Sequence, residues 1–131
     1  MNIDALLNDW ELSDGATGDG ISAMCASLKH FLPSDYLEFL KRHNGGEGFL
    51  GDNYLILWKV EELVPFNLEY EVEKYAPGIF LFGSSGGGDG YGFDTSQEGN
   101  PVVRIPFVGM DRRYAKVVAN TFTDLLSKLA L

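Results

Sequence analysis

Apolar residues recur along this chain with two different periods, and the change from one to the other marks out its architecture. Ile3, Leu6, Leu7 and Trp10 stand at helical spacing, which predicts a short amphipathic helix at the start. Gly15, Gly18 and Gly20 interrupt it. Asp19 is then a candidate N-cap for a second helix with Ile21, Met24, Cys25 and Leu28 on one stripe. Leu32-Pro33 closes that segment and opens the next, because proline suits a first helical turn. Ser34 to His43 predicts a third helix, with Asp35 in its first turn and Lys41, Arg42 and His43 in its last, as the helix dipole favours. Tyr36, Phe39, Leu40 and His43 share its face, and Asn44-Gly45-Gly46 supplies residues that accept the left-handed conformation that stops a helix.

The pattern then shortens. Tyr54-Leu55-Ile56-Leu57-Trp58 is a compact apolar run between Gly51-Asp52-Asn53 and Lys59, which suits a central strand. Glu61-Glu62-Leu63-Val64 predicts one turn before Pro65. Phe66 to Lys74 follows as a helix with aromatic residues on one side and Glu69, Glu71 and Glu73 outward, closed by Pro77-Gly78. Ile79 to Gly83 and Val102 to Ile105 read as strands, and Ala119, Phe122, Leu125, Leu126 and Leu129 recur as one face of a last helix with Thr121 and Asp124 in capping-box-like positions. Helices first, strands in the middle and one closing helix give an α+β order with short connections. The expectation is a single domain: a mainly antiparallel central sheet with N-terminal helices and a C-terminal helix packed on it.

Between Ile79 and Asp94 the sequence is Ile-Phe-Leu-Phe-Gly-Ser-Ser-Gly-Gly-Gly-Asp-Gly-Tyr-Gly-Phe-Asp. So many glycines preclude a helix, so the backbone turns, and Tyr91 and Phe93 restore the period of two for a returning strand. A glycine-rich loop after a strand invites a phosphate-binding reading, since unobstructed backbone N–H groups cradle anions. The residues oppose it. After Gly83 and Gly88 come Asp89 and Gly90 where a P-loop needs lysine and a hydroxyl, and no Lys or Arg occurs between Lys74 and Arg104. A dinucleotide fingerprint needs a helix directly after the loop, and the calcium motifs need more oxygen ligands than Asp89 and Asp94 provide. The glycines are read as architectural, and no cofactor or metal is expected.

Composition narrows the function classes. The chain has 131 residues, 45% apolar and 13% aromatic, enough for one core, and its single cysteine excludes an internal disulfide and a cysteine-based zinc site. No apolar run approaches the ~20 residues of a membrane span, and the acidic Asp4 stands where a signal peptide would be basic, so a cytoplasmic location is expected. Ten Lys plus Arg against 19 Asp plus Glu leave a formal net charge of −9. Such a surface repels nucleic acid and anionic membranes and attracts basic partners. Cys25 and His30 would have to meet in space to act as a thiol and its base; a small buried hydrophobe is the simpler reading of Cys25. His43 has no second ligand at metal spacing and reads as a packing or capping residue.

Leu32-Pro33-Ser34-Asp35-Tyr36-Leu37-Glu38-Phe39-Leu40 followed by Asn44-Gly45-Gly46 resembles the signature of the SUKH superfamily, which groups the fungal Smi/Knr cell-wall regulators with bacterial immunity proteins. The strand near Tyr54 to Trp58, the acidic stretch Glu61 to Tyr75, Phe82-Gly83 to Asp89, Val102-Val103 and Ala119-Asn120-Thr121-Phe122 follow in the expected order, so the likeness covers about residues 21–131, after an N-terminal helix and linker. The resemblance implies a non-catalytic protein-binding module, in the bacterial branch an immunity protein that blocks a toxin domain; the fungal branch implies a regulator docking on signalling or scaffold proteins. A basic toxin, such as a nuclease, suits the acidic charge. The candidate partner-binding residues are the exposed acids Asp52, Glu61, Glu62, Glu69, Glu71, Glu73 and Asp89. The rival expectation is a small-ligand or enzymatic site on residues 83–94, with Asp89, Tyr91 and Asp94 lining a pocket.

Overall fold

The computed structural model describes residues 3–28 and 31–131. Among these described residues seven strands, β1 (Glu11–Leu12), β2 (Gly46–Leu50), β3 (Asn53–Leu57), β4 (Ile79–Ser84), β5 (Asp89–Asp94), β6 (Val102–Pro106) and β7 (Lys116–Ala119), form one sheet in sequence order, every neighbouring pair antiparallel. Helices α1 (Ile3–Leu6), α2 (Gly18–Ala26) and α3 (Ser34–Arg42) come early, α4 (Val60–Glu69) and α5 (Val72–Tyr75) separate β3 from β4, and α6 (Phe122–Leu129) closes the chain. This is the α+β arrangement expected from the order of elements.

On the inner face of the sheet, α3 and α6 bury an aromatic knot. The Tyr36 ring lies 5.4 Å from Phe82, 5.2 Å from Phe93 and 5.1 Å from Phe122, all four fully or almost fully buried. Pairs of this kind add about 0.5–1.5 kcal/mol each beyond the area they bury. Asp35 ties the two helices together: one carboxylate oxygen accepts from the Tyr36 N–H at 2.8 Å and the other from the Thr123 N–H at 3.0 Å. An anion placed at the open N–H groups of two helices satisfies donors that would otherwise face apolar surroundings.

Several boundaries differ from expectation, each for a physical reason. The second helix is capped by Thr17, whose hydroxyl accepts from the Gly20 N–H at 3.0 Å; Asp19 sits in its first turn. The third helix ends through an extended His43, and the left-handed conformation falls later, at Gly45 (φ 80°). There a Cβ would lie 2.6 Å from the Leu57 carbonyl oxygen, so the glycine permits close passage rather than ending the helix. Asn44 reaches across to the next helix: its side-chain oxygen accepts from the Val60 N–H at 2.7 Å and caps α4 from outside. α4 then runs straight through Pro65, whose missing N–H costs one hydrogen bond, and breaks at Glu71, which adopts φ 54° between α4 and α5. Ala119 ends β7 and does not start the last helix; Thr121 caps it, accepting from the Asp124 N–H while Asp124 accepts from the Asn120 N–H.

One edge of β4 is finished by a side chain. β3 pairs with β4 only at Ile56 with Ser84 and Leu57 with Gly83, and beyond that point Asn67 of α4 takes over. Its amide donates to the Leu81 carbonyl at 2.9 Å and accepts from the Leu81 N–H at 2.8 Å, the two bonds an absent strand would have made. The glycine-rich stretch is a hairpin between β4 and β5, as its pattern predicts. Ser85 holds it, accepting from the Gly87 and Asp89 N–H groups, and Gly92 lies where a Cβ would meet the Phe80 carbonyl oxygen at 2.6 Å.

Candidate docking surfaces

The seven predicted acids do not form one patch. Asp52 occupies the turn between β2 and β3, beside the last turn of α6, where Asn53 donates to the Leu129 carbonyl. Glu61 and Glu62 lie in the first turn of α4, where Glu62 accepts from the Lys59 N–H at 2.9 Å and Glu61 from the Asn44 amide at 2.8 Å. Glu69 stands at the other end of α4, about 11–12 Å along the axis at 1.5 Å rise per residue, and Glu71 and Glu73 follow just beyond it. Glu71 approaches Lys74 at 3.9 Å; all three carboxylates are exposed. Asp89 is held by Arg104 at 2.7 Å.

The expected pocket around Asp89, Tyr91 and Asp94 does not converge. Asp89 and Asp94 stand at opposite ends of β5 and, with side chains alternating, on opposite faces. Arg104 donates to Asp89 and to the Tyr91 hydroxyl at 3.1 Å, while Asp94 is bound separately by Arg112 at 2.6 Å and by Ser96. Burial works to raise the Asp94 pKa, but the hydrogen bonds from Arg112 and Ser96 outweigh it and hold the carboxyl below its ordinary value. These groups are spent on one another. Cys25 is half-buried, burial pushes its thiol up, and His30 lies outside the described residues. Among the described residues, no three His, Cys, Asp or Glu side chains gather as a metal site, and no helix is long and apolar enough to cross a membrane.

A different surface is assembled by register alone. Glu11 pairs with Glu47, Glu47 with Ile56, and Phe49 with Tyr54, so these side chains share the outer face of β1, β2 and β3. α3 and α6 pack on the opposite side. Phe49 is 59% exposed and its ring meets Tyr54 edge-on at 4.9 Å. The Tyr54 hydroxyl donates to Glu47, a bond that pushes its pKa up. Alongside, Ile56, Trp58 and Phe66 line a trough together with Glu11, Glu47, Glu62 and Lys59. From there an aromatic run continues: Phe66 meets Trp58 at 90°, Trp58 stacks on Tyr70 at 6.2 Å, and Tyr70 stacks on Phe107 at 4.4 Å. The sequence reading missed Glu11 and Glu47, which are far apart in the chain and become neighbours only through strand pairing.

These features define an antiparallel α+β domain with one sheet face closed by helices and the other partly open. The sequence pattern of the SMI1/KNR4 family (SUKH-1) matches residues 15–128, and the chain belongs to that family. The family includes immunity proteins of toxin systems. No curated protein matched the chain in a separate comparison.

Proposed function

We propose that this SUKH-1 domain is a non-catalytic binding module of the immunity type, which neutralises a basic toxin domain by presenting carboxylates where that toxin would hold an anionic substrate. The observation that carries the reading is the charge of −9 on a scaffold of this family. Asp52, Glu61, Glu69 and Glu73 lie exposed with no cation against them among the described residues, and they extend the field outward together with Glu62, Glu71 and Asp89, whose charges are partly engaged. A field of this kind raises the association rate and weakens with salt, because charges separated by more than about 10 Å are screened at 0.1 M ionic strength.

The test takes the products of the reading frames that flank this chain in its genome, any basic domain among them first, with surface plasmon resonance as the readout. Association is expected to slow by about tenfold or more when Asp52, Glu61, Glu69 and Glu73 become Asn or Gln, and to slow comparably in high salt for the unaltered protein. An association rate indifferent to both changes would remove the electrostatic mechanism. Failure of any neighbouring basic domain to bind would remove the immunity reading.

A further inference from the structure

We infer that the seat of the partner is the outer face of β1 to β3 and the aromatic run beside it, and that its occupant is an arginine-bearing segment of a protein. The inference rests on the binding-module reading and goes on to name the surface and the side chain it takes. Three observations converge. First, this face, flanked by α4, carries Phe49 59% exposed, and Tyr70, at the C-terminal cap of α4 in the aromatic run beside it, is 39% exposed. Second, Glu11 stands directly opposite Glu47 across an antiparallel pair. Like charges in that relation repel, and a cation seated between them would turn the repulsion into two ion pairs. Third, the trough that these carboxylates line is lined as well by Ile56, Trp58 and Phe66, so apolar and aromatic side chains share it with them.

Charge selects a basic occupant, and the aromatic surroundings select arginine over lysine. A guanidinium is planar, lies flat on a ring and bonds two carboxylates with its fork of N–H groups, whereas an ammonium is a compact, strongly hydrated point charge. Glu62 is tied to the Lys59 backbone and frames the trough, while Glu11 and Glu47 supply the charge.

The test is titration of the ¹⁵N-labelled protein with a synthetic peptide of alternating arginine and serine, followed by NMR. The chain has two tryptophans, so their indole N–H signals form an internal control. Trp58 lies in the trough, whereas Trp10 packs against Gly48 and donates to the Phe49 carbonyl. The Trp58 indole and the amides of Glu11, Glu47 and Ile56 are expected to shift. A lysine-for-arginine peptide is expected to bind at least about fivefold more weakly, and Glu11→Gln with Glu47→Gln to weaken the arginine peptide about tenfold. Both substitutions are at exposed positions, and circular dichroism checks that the double variant remains folded. Shifts confined to the ends of α4, or loss of binding in Glu69→Gln/Glu71→Gln/Glu73→Gln instead, would overturn the assignment of the seat and leave the acidic-surface reading standing. No shift in the trough at any peptide concentration would overturn it as well, while the immunity reading falls only if the neighbouring basic domain also fails to bind.

Discussion

The inner face of the sheet and the outer face of β1 to β3 both carry aromatic rings and use them in opposite ways. On the inner face Tyr36, Phe82, Phe93 and Phe122 meet ring to ring, nearly free of water. On the outer face of β2 and β3 Phe49 and Tyr54 also meet ring to ring, yet they remain in contact with solvent, and Tyr54 bonds the Glu47 carboxylate. Burial converts apolar area into stability at about 25 cal/mol per Å², so the inner rings hold the fold while the outer rings contribute little to it. An aromatic residue that does not stabilise its own fold is available to another molecule.

That contrast can be broken at several points. The largest effect is expected from Phe82→Ala, which should cost about 3–5 kcal/mol in urea denaturation, against less than about 0.5 kcal/mol for Phe49→Ala on the opposite face. Comparable losses would show that the outer rings belong to the core. Next, Asn67→Ala strips both backbone groups of Leu81 of their partners and is expected to cost about 1–3 kcal/mol, with accelerated hydrogen exchange at the Leu81 amide as the local signature.

The pH dependence comes third. The Asp94 pKa is lower in the folded protein than in the unfolded chain, so its contribution with Arg112 is present above the unfolded carboxylate value of about 4 and is lost as pH falls through the lowered folded value. Asp94→Asn should therefore flatten the acid limb of the stability curve while destabilising the protein at neutral pH. An unchanged slope below about pH 4 would contradict the coupling. The smallest effect has the opposite sign: Glu11→Gln should stabilise the fold by about 0.2–1 kcal/mol by ending the repulsion with Glu47, and this gain should shrink in high salt.

Much of the inner face was legible in the sequence because it is written in spacing. The α3 stripe of Tyr36, Phe39 and Leu40, the α6 stripe of Phe122, Leu125 and Leu126 and the glycine hairpin all follow local rules, and each stands where its period puts it. The outer face was not legible, for the reason that makes it a surface. β2 reads Gly46-Glu47-Gly48-Phe49-Leu50, with glycines at inner positions so that Trp10 can lie against Gly48, and this erases the alternation that marks a strand. β1 is two residues long. The pairing of Glu11 with Glu47 depends on a register that no local pattern encodes. In the same way Asp89 looked like a free acid until the fold brought Arg104 to it. Helix α4 was misread at Pro65 because tertiary burial of Leu63 outweighed the local preference to break.

Asn67 has a consequence beyond the stability of β4. Its amide imitates a neighbouring strand along the half of β4 that β3 leaves, so the raw hydrogen-bonding edge there exists only when α4 lifts away. An edge of that kind, flanked by the apolar run Ile79-Phe80-Leu81-Phe82, is a template on which molecules of the same sequence stack into aggregates. Helix α4 thus covers the edge that would favour self-association, and the Asn67 carboxamide is the group that occupies its hydrogen bonds at Leu81.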